Sequence, residues 1–322
     1  MTTTVASSLP ELDENGFRHE AFFYGNEAEF VTGATAFLRG AVRADEPALV
    51  VVSSRKIDLL RKRLKADATR ISFADMDDVG TNPARIIPAW SDFVKAHEGR
   101  PLRGIGEPIW AERSSDELVE CQHHESLLNV AFTETGDFTL MCPYDTTALG
   151  DDVVAEARRS HPLLRRHGGS MASDDYPGTD ALREPFSSPL PGPPASSSSF
   201  AFQARSLRSL RSLVWRRAMD AGLGETRADD AVTAVNELAS NSLRHGGGGG
   251  VLRIWEAAGS FVCEVSDDGF IDAPLVGRTR PGLDASGGRG LWMVNQLCEL
   301  VQVRSSSSGT TVRMHLRRLP PG

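Results

Sequence analysis

A polar stripe on one predicted helix, followed at once by a run of glycines, constrains the second half of this chain more than any other feature. Glu237, Asn241 and His245 recur at intervals of four residues, which places a carboxylate, an amide and an imidazole along one helix face. Apolar residues flank this stripe, and the five glycines 246–250 follow it. A helix that aims three polar groups in one direction and then stops is expected to present them to another molecule.

Three further motifs follow the polar stripe and the glycine run in the sequence. They are Asp267-Asp268-Gly269, Gly288-Arg289-Gly290-Leu291 and Ser308-Gly309-Thr310-Thr311. In this order and spacing, the elements resemble the GHKL ATP-binding fold, whose members include histidine kinases, gyrase-type ATPases and anti-sigma-factor serine kinases. A lone G-x-G is a weak signal, whereas four ordered elements with predicted strands between them are specific. The resemblance covers about the last 120 residues.

The resemblance implies an ATP site with a role for each matched residue. Asp267 and Gly269 match the first glycine box, whose aspartate accepts a hydrogen bond from the adenine amino group. Asn241 would give an oxygen ligand to Mg²⁺, which prefers such ligands and bridges to phosphates. Glu237 would be the general base that orients or deprotonates the attacking hydroxyl. The implied cofactors are therefore ATP and Mg²⁺.

The phosphates are assigned to the second glycine box. Gly288, Arg289, Gly290 and Leu291 stand at the start of a predicted helix, so backbone N–H groups and the helix dipole would face the phosphates. Thr310 matches the family's closing threonine. Arg289 would add charge there or serve as a surface lid residue.

Other interpretations of these residues stay open. His245 is assigned to nucleotide binding, but a histidine also ends a helix favourably. Asp267 taken alone would be a hairpin-turn residue. Glu237 is compatible with a site that binds ATP without catalysis. Ile271 departs from the family pattern, because the third glycine of the first box would stand at its position.

The first half of the chain alternates short apolar strands with amphipathic helices. Predicted strands cover 18–24, 48–52, 71–73, 102–107 and 138–144. Predicted helices cover 27–43, 55–64, 83–97, 115–132 and 152–159. Such alternation is typical of a mostly parallel sheet with helices on both faces.

This half resembles the MEDS sensory domain of bacterial and archaeal regulators. The matching residues are His19 with Phe23-Tyr24, the stretches 106–110 and 124–129, Cys142-Pro143-Tyr144-Asp145, and Ser160-His161-Pro162. The family is thought to be related to RecA-like ATPases without a working phosphate loop, and no G-x-x-x-x-G-K-[ST] occurs in the sequence. The expected fold class is therefore α/β: a RecA-like MEDS sandwich with a mostly parallel sheet, then a GHKL (Bergerat) two-layer sandwich.

Two kinds of site are conceivable in this first domain. A ligand pocket at the carboxyl ends of the parallel strands, near Glu107, Trp110 and Tyr144, is the favoured one. It would bind an unidentified small-molecule signal. A metal or haem site would draw on Cys121, His123, His124, Glu125, Cys142 and His161. The competing interpretation is that these residues are core residues and strand-end caps.

Composition places these domains and limits their partners. We predict a flexible arm (1–16), the MEDS-like domain (17–165), a Pro/Ser-rich linker (166–199) and the GHKL domain (200–322). In the last of these, helices are predicted at 207–221, 226–244 and 290–301, and strands at 251–255, 261–265 and 310–316. The net charge of -8 argues against direct nucleic-acid binding. No apolar run reaches the roughly 20 residues of a membrane helix, and the four cysteines form no C-x-x-C pair, so we expect a cytoplasmic protein with reduced thiols.

The predicted function is that of a signalling regulator. The segment between the glycine boxes, 270–286, is short, as in anti-sigma-factor kinases, and no phosphoacceptor-histidine helix pair precedes the GHKL domain. We therefore expect a serine/threonine protein kinase that binds a sigma factor, or phosphorylates a STAS-type anti-anti-sigma antagonist, under control of the sensory domain. The alternatives are an ATP-binding sequestration module without kinase activity and a histidine-kinase-like enzyme with a separate acceptor. The arginine-rich helix 207–221 is either a solvated face or a partner surface, which allows a homodimer.

Overall fold

The computed structural model describes residues 16–166, 169–179, 188–257, 259–282 and 288–318. The predicted flexible arm, 1–16, lies outside these residues except for Gly16. The described chain forms one sheet of seven strands and a second of five. No helix within the described ranges combines the length and the apolarity of a membrane span.

The first sheet contains the strands that the alternating pattern predicted, plus two more. Its strands are β1 (Phe17–Tyr24), β2 (Ala48–Val52), β3 (Ile71–Asp75), β4 (Leu102–Gly106), β5 (Phe138–Asp145), β6 (Leu163–Arg166) and β7 (Gly169–Ala172). Their order is β3-β2-β4-β5-β1-β6-β7. Every neighbouring pair is parallel except β6 and β7. The predicted mostly parallel sheet is confirmed.

Helices cover both faces of this sheet. They are α1 (Glu27–Ala44), α2 (Ser54–Leu64), α3 (Met76–Val79), α4 (Ile86–Ala96), α5 (Ser115–Ala131) and α6 (Asp151–Ser160). Phe30 of α1 and Leu60 of α2 are buried in the core on one face, whereas Trp90 of α4 and Leu127 of α5 are buried on the other. A strand as apolar as β2 fits this position, because it is covered from both sides.

The second sheet is antiparallel and has helices on one face. Its strands, in the order β11-β12-β10-β9-β8, are β8 (Ser198–Gln203), β9 (Gly249–Ala257), β10 (Ser260–Asp267), β11 (Leu300–Ser306) and β12 (Gly309–Arg317). The helices are α7 (Leu207–Asp220), α8 (Glu225–His245) and α9 (Arg289–Leu297). Val214, Leu238 and Val294 place all three helices against one core with the sheet. This is the predicted two-layer sandwich.

The structure differs from the sequence prediction at three boundaries. Residues 169–172, which the composition assigned to the linker, form β7, because they pair with β6 and Ser170 Oγ donates to the buried Glu20 at 2.8 Å. The other end of that linker begins β8 at Ser198, and residues 180–187 lie outside the described residues. The helix predicted over 290–301 ends at Leu297 and is followed by β11, whose pairing with β12 overrides the helical spacing.

Candidate functional site

The carboxylate and the amide of the polar stripe lie on α8 beneath the start of α9. Glu237 and Asn241 are both half-buried. A Cβ added to Gly290 would lie 3.0 Å from Glu237 Oε2 and 3.1 Å from Asn241 Nδ2. Because residue 290 is glycine, the first turn of α9 lies this close without displacing either side chain. The N box and the second glycine box, which are about 50 residues apart in sequence, meet in the fold.

Asp267, at the end of β10, is fixed in place by α8. Ser242 Oγ donates to Oδ2 of Asp267 at 2.5 Å, and the backbone N–H of Gly269 donates to Oδ1 at 2.8 Å. A Cβ on Gly246 would lie 2.4 Å from Cγ of Asp267, so the glycine after α8 leaves room for this carboxylate. Asp267 is thus an oriented acceptor beside the end of the helix that carries Glu237 and Asn241.

Thr310 ties the last strand to the first glycine box. Its Oγ1 donates to the carbonyl of Gly269 at 2.8 Å and lies 2.7 Å from Ser305 Oγ. Gly309 has φ +123° and passes so close to Asp267 that a Cβ would lie 2.4 Å from the Asp267 carbonyl oxygen. The predicted closing threonine therefore helps to hold the loop that carries Asp267.

Of the remaining predicted site residues, three are exposed and one is buried. Gly288 has φ +83° and is exposed just before α9, and Arg289 is also exposed, with Nη2 3.5 Å from the Gly282 carbonyl. Leu291 is buried in the core beneath α9. His245 is the last residue of α8, and its side chain is exposed.

Sequence reasoning missed Arg244. Its Nη2 donates to Asn241 Oδ1 at 3.2 Å, the oxygen that the family resemblance assigns to Mg²⁺. The spacing of three residues on a helix was the available signal. In this structure, the guanidinium engages the atom that a metal ion would need.

A cavity of about 980 Å³ opens at the Asp267 end of this site. It is lined by Asp267, Thr310 and glycines 246–250, with Pro189 and Pro191 on one side. Glu237 and Asn241 do not line it, whereas Arg253, Glu264 and Arg313 do. These three side chains alternate along their strands with Leu252, Val265 and Met314, which pack against the helices. The cavity therefore lies mainly on the sheet face away from α8 and reaches only the loop that carries Asp267.

The first domain has a smaller cavity of about 460 Å³, where the parallel strands end. Glu107 and Trp110 line it, as predicted, whereas Tyr144 does not and Tyr24 does. Lys56 Nζ lies 2.5 Å from Glu107 Oε1, and Tyr24 donates to the same oxygen at 2.7 Å. Burial raises the pKa of Glu107, although the charge of Lys56 opposes that shift. The cavity therefore combines a buried carboxylate with a cation and a phenol.

The predicted metal candidates separate into two groups. Glu125, Cys142 and His161 cluster together with His19, which sequence reasoning did not include. Cys121, His123 and His124 lie outside that cluster. The Cys121 thiol donates to the Pro108 carbonyl at 3.3 Å, and burial raises its pKa to about 12. Burial likewise lowers the pKa of His124 to about 3.

Comparison with known families assigns both halves. The family model of the MEDS (MEthanogen/methylotroph, DcmR Sensory) domain matches residues 18–162, and that of the histidine kinase-like ATPase domain matches residues 200–316. The protein joins a MEDS domain to a histidine kinase-like ATPase domain. An ATPase domain implies that the second half binds ATP. The predicted family resemblances are thus confirmed.

Among solved structures, the chain is similar to the RsbU and RsbW domains of Rv1364c from Mycobacterium tuberculosis, with 20% sequence identity and a TM-score of 0.31. That match covers 40% of this chain and 34% of the other. A search of curated proteins found no match.

The MEDS domain contacts the segment between the two glycine boxes of the ATPase domain. Leu275 packs against the MEDS core, and Arg278 Nη2 lies 3.2 Å from Glu120 Oε2 on α5. Arg304 of β11 pairs with the other oxygen of Glu120 at 2.9 Å. Burial alone would raise the pKa of Glu120, but its hydrogen bond to His123 and the charges of Arg304 and Arg278 lower it instead.

The MEDS domain also caps the C-terminal end of α9. Asn82 Nδ2 donates to the carbonyls of Asn295 and Cys298 at 3.1 and 3.2 Å. Arg85 donates to the carbonyls of Asn295 and Gln296 at 2.8 and 2.7 Å. Carbonyls at a helix end lack partners within the helix, and here another domain supplies them. The MEDS domain thus holds α9 at one end while the other end faces Glu237 and Asn241.

Replacing Asp267 with asparagine is expected to weaken ATP binding about 10- to 100-fold, because a hydrogen bond to a charged group contributes roughly 1.5–3 kcal/mol. The amide can also turn its NH₂ group toward the adenine donor. Isothermal titration with a non-hydrolysable ATP analogue measures the loss. Asp268→Asn, at the exposed neighbouring position, is the matched control. Equal affinity in the two variants would contradict the assignment of Asp267.

Proposed function

We propose that this protein is an anti-sigma-factor-type serine/threonine protein kinase whose activity is controlled by its MEDS domain. The observation that carries the proposal is the meeting of Glu237 and Asn241 with Gly290 in a histidine kinase-like ATPase domain. This arrangement pairs a carboxylate with an amide beside the phosphate-binding end of a helix. A general base and a metal-binding group are what a phosphotransferase needs there.

The proposed reaction uses Glu237 as the base. Its carboxylate accepts the proton of a serine or threonine hydroxyl on the partner protein while the hydroxyl oxygen attacks the γ-phosphorus of ATP. The bond between the γ-phosphorus and the β,γ-bridging oxygen breaks, and ADP leaves. Mg²⁺ would neutralise phosphate charge when bound, and Asn241 would hold it. Asp267 would select adenine, and the N–H groups at the start of α9 would face the phosphates.

The short segment between the glycine boxes supports the anti-sigma type. In the family this segment covers the nucleotide, and here its described part is attached to the MEDS domain through Leu275 and Arg278. A signal that changes the MEDS domain would therefore act on the cover of the ATP site. We place that signal, a small molecule, in the cavity lined by Lys56 and Glu107.

The exposed side of α7 supports a protein partner. Trp215 is 39% exposed, and Arg208, Arg211 and Arg216 are exposed on the same helix. A tryptophan among arginines is typical of interaction surfaces. The proposed partners are a sigma factor, a STAS-type antagonist with an acidic face, or a second copy of this chain.

One observation favours a second function. Because Arg244 occupies Asn241 Oδ1, the site could bind ATP without supporting transfer. The protein would then sequester its partner and release it on nucleotide change.

The deciding experiment is incubation of the full-length protein with ATP·Mg²⁺ and candidate antagonist proteins encoded nearby, followed by intact mass measurement. One added phosphate that survives acid supports the serine/threonine kinase. An acid-labile phosphate indicates a histidine-kinase-like enzyme instead. Nucleotide binding with no phosphate on any candidate favours the sequestration module, and no nucleotide binding contradicts both functions.

A further inference from the structure

Four metal-ligating side chains from distant parts of the MEDS domain meet in its interior. They are His19 on β1, Glu125 on α5, Cys142 on β5 and His161 just after α6. Their ligand atoms all lie within 4.8 Å of one another. Each of the four residues is at most 1% exposed. The cluster lies apart from the ATP site and plays no part in the proposed phosphate transfer.

The separations between these atoms are close to those of ligands around one small ion. His19 Nε2 lies 3.0 Å from Glu125 Oε2 and 3.3 Å from Cys142 Sγ. His161 Nε2 lies 3.3 Å from the same Glu125 oxygen. Tetrahedral zinc, with bonds of about 2.0–2.3 Å, places its ligand atoms about 3.3–3.8 Å apart.

In both imidazoles Nδ1, the ring nitrogen that faces away from the cluster, donates a hydrogen bond. His161 Nδ1 lies 2.7 Å from the Ala157 carbonyl, which can only accept. His19 Nδ1 lies 3.1 Å from Asn129 Oδ1. The orientation of that amide is fixed, because Asn129 Nδ2 donates to the Ser160 carbonyl at 2.8 Å. Both rings therefore turn Nε2 toward the cluster, as histidine ligands do when the other nitrogen donates to a carbonyl or amide oxygen.

These orientations leave the Cys142 thiol, whose Sγ lies 3.3 Å from His19 Nε2, as the one donor facing the interior of the cluster. Neutral rings present nitrogen lone pairs to Glu125, whose ionised carboxylate can only accept. His161 Nε2 and Glu125 Oε1 have no hydrogen-bond partner. Charging one ring would pair it with Glu125 but leave Nε2 of the other ring as an acceptor facing the carboxylate. Charging both rings would bury two cations against one carboxylate, and uncompensated buried charge is costly. A cation between the four atoms would satisfy all of them at once.

We propose that His19, Glu125, Cys142 and His161 bind one divalent transition-metal ion of the zinc class in a closed, four-ligand site. Two imidazoles, a thiolate and a carboxylate suit Zn²⁺ or Co²⁺ rather than the hard ions Mg²⁺ and Ca²⁺. The site would form with the fold, because its ligands come from β1, α5, β5 and the end of α6. The inference concerns the MEDS domain and does not depend on the kinase assignment.

The test uses the full-length protein loaded with Zn²⁺ or Co²⁺ and freed of loosely bound ions by gel filtration. We expect about one ion per chain and, with Co²⁺, a thiolate-to-metal charge-transfer absorption in the near ultraviolet. The Cys142→Ser variant should lose this absorption and bind at least about 100-fold more weakly, since even outer-shell changes cost 10- to 100-fold. Cys121→Ser, which changes another fully buried thiol, should retain both properties.

Two results would overturn the proposal. One is a wild-type protein that retains no ion and shows no charge-transfer absorption with Co²⁺. The other is retention of that absorption by Cys142→Ser, because the thiolate ligand would then lie elsewhere. If Cys142→Ser does not fold, zinc-edge X-ray absorption of the wild type decides the matter. One sulfur among nitrogen and oxygen neighbours supports the site, and a shell without sulfur contradicts it.

Discussion

Phosphate transfer to the antagonist is expected to fall about 10²- to 10⁴-fold in a Glu237→Gln variant, the range that a general base contributes. Glutamine has the same shape, so the close approach of Gly290 to this side chain is preserved. It cannot take the proton of the attacking hydroxyl, because an amide is not a base at neutral pH. ATP affinity should stay essentially unchanged. Intact mass against time gives the transfer rate, and calorimetry gives the affinity.

The matched control is Glu225→Gln, an exposed glutamate in the first turn of the same helix. It removes the same charge from α8 far from Gly290 and should transfer phosphate at the wild-type rate. Equal transfer rates in Glu237→Gln and the wild type would show that Glu237 is not the general base. Loss of ATP binding in Glu237→Gln would show instead that the carboxylate supports the nucleotide rather than the proton transfer.

Glu120→Ala is expected to weaken the attachment of the MEDS domain to the ATPase domain by about 3–5 kcal/mol, the cost of removing one partner from a buried ion pair. The change leaves the guanidinium groups of Arg278 and Arg304 buried without their carboxylate. We expect faster amide hydrogen exchange in residues 271–282 and at the end of α9. Hydrogen exchange with mass spectrometry on the full-length chain measures both regions.

Glu264→Ala provides a control of the same chemistry. Glu264 is also buried and pairs with two arginines, Arg253 at 3.2 Å and Arg313 at 2.7 Å, but all three lie within the ATPase domain. This variant should lower the thermal midpoint of the ATPase domain. If Glu120→Ala does the same without faster exchange in residues 271–282, Glu120 stabilises the fold generally and does not hold the segment between the glycine boxes.

The α8 helix and the motifs around it were predictable because their signals are local. Glu237 and Asn241 lie one turn apart, and the alternation of apolar strands with helices identified the parallel sheet. The strand β11 was missed because Leu300 and Val301 continue the apolar spacing of α9, and only pairing with β12 makes them a strand. β7 was missed because its glycine and serine have no strand propensity of their own.

The domain interface and the presence of His19 in the buried cluster lay beyond sequence reasoning for another reason. Asn82 meets Asn295 across 213 positions of sequence, and nothing in either neighbourhood indicates the other. His19 meets Glu125 across 106 positions. In the sequence, His123 and His124 stand beside Glu125 and are equally plausible ligands, whereas the fold brings together only the residues whose side chains reach the same point. Which side chains meet in the interior depends on how strands and helices pack.

The α5 helix contributes one residue to the buried cluster and another to the domain interface. It is about 25 Å long at 1.5 Å per residue, and it carries Glu125 in the buried cluster and Glu120 at the domain interface. If the proposed function holds, a ligand that prefers one position of this helix would also change the preferred position of the segment between the glycine boxes. Thermodynamic linkage makes that influence mutual: nucleotide occupancy would alter the sensor's affinity for its ligand by the same factor. The sensor would thus register the cell's energy state along with its signal.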